Sequence, residues 1–246
     1  MNIALIGNGK MGRMIDEVCA QTDDLHVVGF VGPGACDALD DIADADIAID
    51  FSYPGNLAML LETAVRRRMP LVIGTTGLSA AQGDAIRAAG AQIPIVWANN
   101  FSMGVTVLAR LTRMAAQALS GFDVEIVEAH HNQKEDAPSG TAKALLACVD
   151  PAGDVPVVHG REGRVGKRGR EIGMHALRGG TVAGEHSVHF FGALEEIELR
   201  HRADSREVFA RGALRAAAFA LEANPGVYDM EDVLFGTEAE RAQRAK

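Results

Sequence analysis

The sequence predicts an α/β protein, with a doubly wound parallel sheet in its N-terminal part and an α+β unit with a mixed sheet after it. Short β-rich apolar runs first alternate with helical patterns, the order expected of parallel strands joined by crossover helices. A glycine-rich turn sits at the first strand-to-helix junction. After a long apolar helical pattern at 103–119 the alternation stops, and strand-like runs follow one another with only short turns between them.

Taken in order, NIALIG (2–7) reads as a buried strand and MGRMIDEVCAQ (11–21) as the helix behind it. LHVVGFV (25–31), DIAIDF (46–51), PLVIG (70–74) and IPIVWA (93–98) are further strands. Helical spacing fills 55–68 and 79–90, and Pro54 suits a helix start because its missing N–H lies where no intrahelical partner exists. Beyond the 103–119 helix come DVEIVEA (123–129) and a helix at 141–149. Three strand-like runs at 171–179, 181–192 and 194–203 are joined by short turns at 179–180 and 192–193, which suggests an antiparallel or mixed sheet. A final helix covers 205–223. The second unit is therefore expected from about 103 to 208, with the last helix returning to the first.

Composition narrows the function. With 246 residues and 48% apolar side chains the chain buries a sizeable core. A net charge of −9 argues against nucleic acid or a membrane surface as the main partner. Cys19, Cys36 and Cys148 are far apart with no CxxC spacing, which suits reduced thiols. The start lacks a signal-peptide apolar stretch, and no run approaches a membrane span, so a soluble cytoplasmic protein is expected. Arg161, Arg164, Lys167, Arg168 and Arg170 form a local basic loop, read as a solvated segment that still leaves open a role in attracting a small anion.

The turn GNGKMG sets Gly7, Gly9 and Gly12 in GxGxxG spacing. Gly7 permits the tight turn, Gly9 lets backbone approach a pyrophosphate, and Gly12 allows close helix–strand packing. Dinucleotide binding follows, with Gly7, Asn8, Gly9, Lys10, Met11 and Gly12 against the cofactor. Gly74, Thr75 and Thr76 in GTTG, and Ala98, Asn99, Asn100 and Phe101 in ANNF, follow two later strands, where a nicotinamide crevice is expected. The acid that usually reads the adenosine ribose is missing: the second strand runs into Gly32-Pro33-Gly34, and the nearest acid is Asp37. Nothing there repels a 2′-phosphate, and Lys10 or Arg13 can help to hold one, so the cofactor is NADH or NADPH.

The densest chemistry is EAHHNQKEDAPSGTA, residues 128–142. It begins where a strand stops, so His130 and His131 stand at a strand end, facing different sides if the strand continues. Histidine suits proton donation near neutrality, and Lys134 supplies positive charge or a second proton. Ser139-Gly140-Thr141 opens a helix whose first amides suit a carboxylate. HHxxK is not a metal-ligand spacing and no HExxH or cysteine pair occurs, so no metal is expected. His186 and His189 fall on opposite faces of a strand and read as ordinary sheet histidines.

That run resembles the signature of the 4-hydroxy-tetrahydrodipicolinate (dihydrodipicolinate) reductase family, of the diaminopimelate route to lysine. The likeness covers nearly the whole chain, through the glycine turn, IDFSYP, VIGTTG, ANNFSMGV, RGGTVAGEH and NPGVYDMEDVL. It implies a Rossmann dinucleotide-binding domain over 1–102 and 209–246, a substrate-binding and oligomerisation domain over 103–208, and a homotetramer. It also implies a small cyclic dicarboxylate imine as substrate, with hydride delivered to ring C4 after loss of water. His130 matches the family's proton donor and Lys134 its second catalytic residue. His131 matches a substrate contact, Gly140 and Thr141 a carboxylate clamp, and Arg206 a substrate-side arginine. The glycine turn is one residue shorter than in many members, and Gly32-Pro33 replaces a frequent acid-plus-arginine pair, which bears on cofactor preference alone. The competing readings are another two-domain nicotinamide reductase, of aspartate-dehydrogenase type, and a non-catalytic NAD(P)-binding regulator.

Overall fold

The computed structural model describes residues 1–32, 34 and 38–237. It divides the chain into two compact units: Met1–Met103 together with the chain from Glu207 onward, and Gly104–Arg206.

The first unit opens with β1 (Asn2–Ile6), α1 (Lys10–Cys19), β2 (His26–Val31) and β3 (Ile47–Asp50). It continues through α2 (Leu57–Arg67), β4 (Leu71–Ile73), α3 (Ala80–Gly90) and β5 (Pro94–Trp97). All these strands pair in parallel. Alternation along each strand feeds two apolar layers. Ile3, Leu5, Ile47, Ile49, Val72 and Val96 face one layer, whereas Ala4, Ile6, Ala48, Leu71, Ile73 and Ile95 face the other. Two-sided burial explains why the runs read as continuous apolar stretches. Pro54 does start the helical segment, but as one 3₁₀ turn, Pro54–Asn56, ahead of α2. Ser79 and Gln82 close a reciprocal cap at the start of α3, which fixes its first turn.

The second unit contains most of α4 (Met103–Ala118), then β6 (Asp123–His130), α5 (Gly140–Val149) and β7 (Val157–Val158). β8 (Ile172–Arg178), β9 (Gly184–Phe191) and β10 (Glu196–Ala203) complete its sheet, in the order β10-β9-β6-β8-β7. The sheet is mixed: β6 runs parallel to β8 and antiparallel to β9. β9 and β10 form the antiparallel pair that their short turn suggests. β8 and β9 differ from that pattern, since β6 lies between them and they do not pair. Their link crosses the end of β6, where His131 N–H donates to the Val182 carbonyl at 2.8 Å and Gly179 N–H to the His130 carbonyl at 2.9 Å. Leu108, Val124, Ile126, Leu145, Met174, Val188 and Phe190 make the core on one face of the sheet.

The chain then adds α6 (Glu207–Glu222), β11 (Gly226–Tyr228) and α7 (Met230–Phe235) to the first unit. β11 joins β5 in parallel, giving the order β11-β5-β4-β3-β1-β2. Small residues let α6 lie close on the sheet: Ala210, Ala213, Ala216, Ala217 and Ala220 are buried, and a Cβ on Gly212 would stand 1.6 Å from the Phe101 carbonyl oxygen.

Candidate active site

In the first unit, β2 and β3 lie on opposite sides of β1, so the winding reverses there and leaves a crevice beyond the strand carboxyl ends. The glycine turn occupies that point, and each glycine has a reason. Gly7 has φ +101°, and a Cβ on it would meet the Phe51 carbonyl oxygen at 2.7 Å. A Cβ on Gly12 would stand 2.2 Å from the Gly7 carbonyl oxygen, while one on Gly9 would meet nothing within 4 Å. Gly9 thus opens onto space, and α1 begins directly after it without a side-chain cap, so its first amides suit an anion. The turn therefore fits a dinucleotide pyrophosphate. Lys10 and Arg13 are exposed beside it, and Arg13 Nε reaches Asn8 Oδ1 at 3.5 Å. Met11 is half-buried and packs on the core. A cavity of about 170 Å³ lies by the ends of β1 and β2, lined by Ile6, Val31, Gly32, Leu39, Tyr53 and Met59 among others. Pro33 and Asp37, on which the reading of the ribose site turns, lie outside the described residues.

The other strand ends are arranged in two tiers. Gly74 donates its N–H to the Asp50 carbonyl at 2.8 Å, and Thr75 is buried with its Oγ accepting the Ser52 N–H at 2.9 Å. Phe101 is only 2% exposed and meets Phe51 edge to face at 5.4 Å. Thr75 and Phe101 therefore support the crevice from beneath. Thr76 and Asn99 are exposed, Ala98 and Asn100 half-buried, and Asn100 Oδ1 accepts the Ser102 N–H at 2.8 Å.

In the second unit, alternation along β6 carries the apolar Val124 and Ile126 into Glu128 and His130 on the same face. His130 is 9% exposed, and Glu128 is 0% exposed. The ring Nδ1 of His130 lies 2.5 Å from Glu128 Oε2. Arg178, opposite His130 on β8, donates to both Glu128 oxygens at 2.8 Å. The Ser139 N–H adds a third donor at 3.0 Å. Burial alone would raise the Glu128 pKa, but the bonds from Arg178, His130 and Ser139 outweigh it and hold the carboxyl below its usual range. Burial pushes the His130 pKa down, against the pull of Glu128 and with the help of Lys134 and Arg178. As a carboxylate, Glu128 accepts the Nδ1 proton, and Nε2 of His130 is left for chemistry.

The remaining sequence candidates gather around the end of β6. Lys134 donates to Asp136 Oδ1 at 2.7 Å. His131 Nε2 accepts a hydrogen bond from Arg206 at 3.0 Å, which pairs the two expected substrate contacts. Gly140 begins α5, and a Cβ there would meet nothing within 4 Å. Ser139 caps this helix, its Oγ accepting the Ala142 N–H at 3.2 Å.

Three residues of the cluster are not among the sequence candidates: Glu128, Arg178 and His186. His186 lies opposite Glu128 on β9, and its ring meets that of His130 at 5.1 Å and 73°. The reading of two ordinary sheet histidines suits His189, which contacts Ser187 and Glu196, but not His186. The basic loop is partly accounted for by carboxylates: Arg161 pairs with Glu125 and Glu171, and Arg168 with Asp123 and Glu125. Among the described residues, no three His, Cys, Asp or Glu side chains gather as a metal site, and no helix is long and apolar enough to cross a membrane.

A parallel nucleotide-binding sheet joined to a mixed-sheet unit with a buried acid–histidine pair defines a nicotinamide-dependent oxidoreductase. The family model "Dihydrodipicolinate reductase, N-terminus" matches residues 1–101, and "Dihydrodipicolinate reductase, C-terminus" matches residues 104–234. The chain belongs to the dihydrodipicolinate reductase family. It is 47% identical to the 4-hydroxy-tetrahydrodipicolinate reductase of Akkermansia muciniphila, over 92% of this chain and 94% of that one. The protein of that name from Caldanaerobacter subterraneus is 42% identical, over 92% and 95%. A dipicolinate-bound dihydrodipicolinate reductase from Paenisporosarcina sp. TG-14 shares the fold, with a TM-score of 0.78, 22% identity, and coverage of 95% of this chain and 99% of that one.

Proposed function

We propose that this protein reduces 4-hydroxy-tetrahydrodipicolinate to tetrahydrodipicolinate with NADH or NADPH, in the diaminopimelate route to lysine. The observation that carries this reading is His130, held by a buried carboxylate beside the start of a helix suited to an anion, in a chain of this family. The bound nicotinamide supplies a hydride to ring C4 of the unsaturated imine left by loss of water. Hydride addition leaves an enamine, which must take up one proton. His130 supplies that proton from Nε2, with Nδ1 bonded to Glu128. Lys134 keeps positive charge close to the reacting ring, and Asp136 fixes its direction.

The amides of Gly140 and Thr141 receive one substrate carboxylate, and His131 with Arg206 receives the other. In the first unit, Gly7, Asn8, Gly9, Lys10, Met11 and Gly12 take the pyrophosphate, and the cavity beside Tyr53 and Met59 takes the adenosine. The exposed tier of GTTG and ANNF, Thr76 and Asn99 above all, lines the nicotinamide side.

A purified sample given NADPH, with substrate made in place from pyruvate and aspartate semialdehyde by the preceding synthase, tests the reading. Nicotinamide absorbance falls if it is right. Intact cofactor binding without that fall removes it.

The chain also assembles as a homotetramer. Support comes from the family and from exposed apolar side chains: Val107, Leu111 and Met114 on α4, and Phe191 and Ile197 on the sheet. Sedimentation at micromolar concentration gives a tetramer, and a monomer there contradicts it.

A further inference from the structure

Glu128 carries more donors than the stability of a buried acid requires. Its Oε2 takes His130 Nδ1 at 2.5 Å and one Arg178 nitrogen at 2.8 Å. Its Oε1 takes the second Arg178 nitrogen at 2.8 Å and the Ser139 N–H at 3.0 Å. Replacing a buried ion pair by well-packed apolar groups is often neutral or stabilising. Stability is therefore a weak reason for an arginine and an acid in this place. Their position is the better reason, because the pair ends on the ring that serves as proton donor.

We infer that Glu128 and Arg178 act as one shared counter-ion, positioning His130 and setting how firmly it holds its proton. Glu128 fixes the ring with Nδ1 protonated and Nε2 presented. Arg178 draws on the same carboxylate, so the histidine does not bind its proton too tightly to give it up. Through Ser139, the same acid also ties the donor to the N-terminal cap of the carboxylate-binding helix. The inference rests on His130 being the proton donor proposed above.

Among the described residues, the other charges that act on the ring are few. Lys134 acts from the segment after β6 and is paired with Asp136. His186 faces the ring from β9, and burial pushes its pKa down to about 4, so it is neutral at working pH. His201, on β10, acts on His186. Glu128 is then the negative neighbour and Arg178 with Lys134 the positive ones, so removing either member of the pair moves the proton affinity of His130 in opposite directions.

The test is a histidine NMR titration of the full chain with ¹³C-labelled imidazoles, the His130 signal being assigned by its loss in His130→Gln. Arg178→Met raises the His130 midpoint by about one unit, and Glu128→Gln lowers it by at least about as much. The pH profile of kcat moves in the same two directions. Turnover in Glu128→Gln falls at least about a hundredfold, as for other acids that orient a histidine, while KM for the nicotinamide cofactor is unchanged. Midpoints that move the same way in both variants, or in neither, overturn the inference. If Glu128→Gln does not fold, the upward shift in Arg178→Met or its absence decides alone. Absence of wild-type turnover removes the reductase reading, while the titration still decides the coupling.

Discussion

The Ser139 hydroxyl shares a hydrogen bond of 3.1 Å with Nε2 of His186 while accepting the Ala142 N–H, so one side chain both caps α5 and holds a buried histidine. Nδ1 of the same ring is buried and has no hydrogen-bond partner among the described residues. Burial, followed by the charge of His130, brings the His186 pKa to about 4 from an ordinary 6.5.

A depressed histidine makes the fold acid-sensitive. Between the two values the unfolded chain binds more protons, so stability is full above about pH 6.5 and falls as the pH drops toward 4. The loss at the acid end is on the order of 3 kcal/mol. Glu128, with its lowered pKa, adds to the loss below the ordinary carboxyl range. Denaturant midpoints measured from about pH 7 to about pH 5 should fall in the wild type and fall less in His186→Gln. Equal slopes would show that His186 does not carry the effect.

Gly184 is the first residue of β9, and a Cβ there would stand 3.2 Å from His130 Nε2. Gly184→Ala therefore presses on the nitrogen proposed to give up the proton, without straining the backbone. Turnover should drop about tenfold or more with little change in cofactor affinity, because small displacements of a reacting group are costly. Wild-type turnover in this variant would mean that Nε2 is not the working atom.

Local signals make the first unit legible. Apolar runs and helical spacing lie within single segments, and the glycine turn needs only its neighbours. β11 and α7 escape such a reading, because three residues after Pro225 become a strand only by joining the edge of β5. The spacing of Glu128 and His130 does place both on one strand face, and that signal is present in the sequence. Arg178 and His186 need the registers His130–Arg178 and Glu128–His186, which are set by β6 entering between β8 and β9. No local pattern contains that insertion; the short link from β8 to β9 looks instead like a hairpin.

Cofactor preference should be slight. Lys10 and Arg13 are exposed at the glycine turn, and each would attract a 2′-phosphate by a screened contact of up to about 1 kcal/mol. Together they limit discrimination to roughly thirtyfold at most. Values of kcat/KM for NADH and NADPH at one ionic strength decide this, and a ratio on the order of a thousand either way would require a ribose-reading residue other than these two.

The most direct measurement is the turnover of His130→Gln in the coupled assay, with cofactor affinity measured on the same sample and Lys134→Ala run beside it. His130→Gln should lower kcat by roughly 10²–10⁴-fold, the usual contribution of a positioned general acid, while the nicotinamide cofactor binds as before. Lys134→Ala should lose turnover as well, also with cofactor binding intact. Near-wild-type turnover in both variants would place the proton donor elsewhere and contradict the role given to His130.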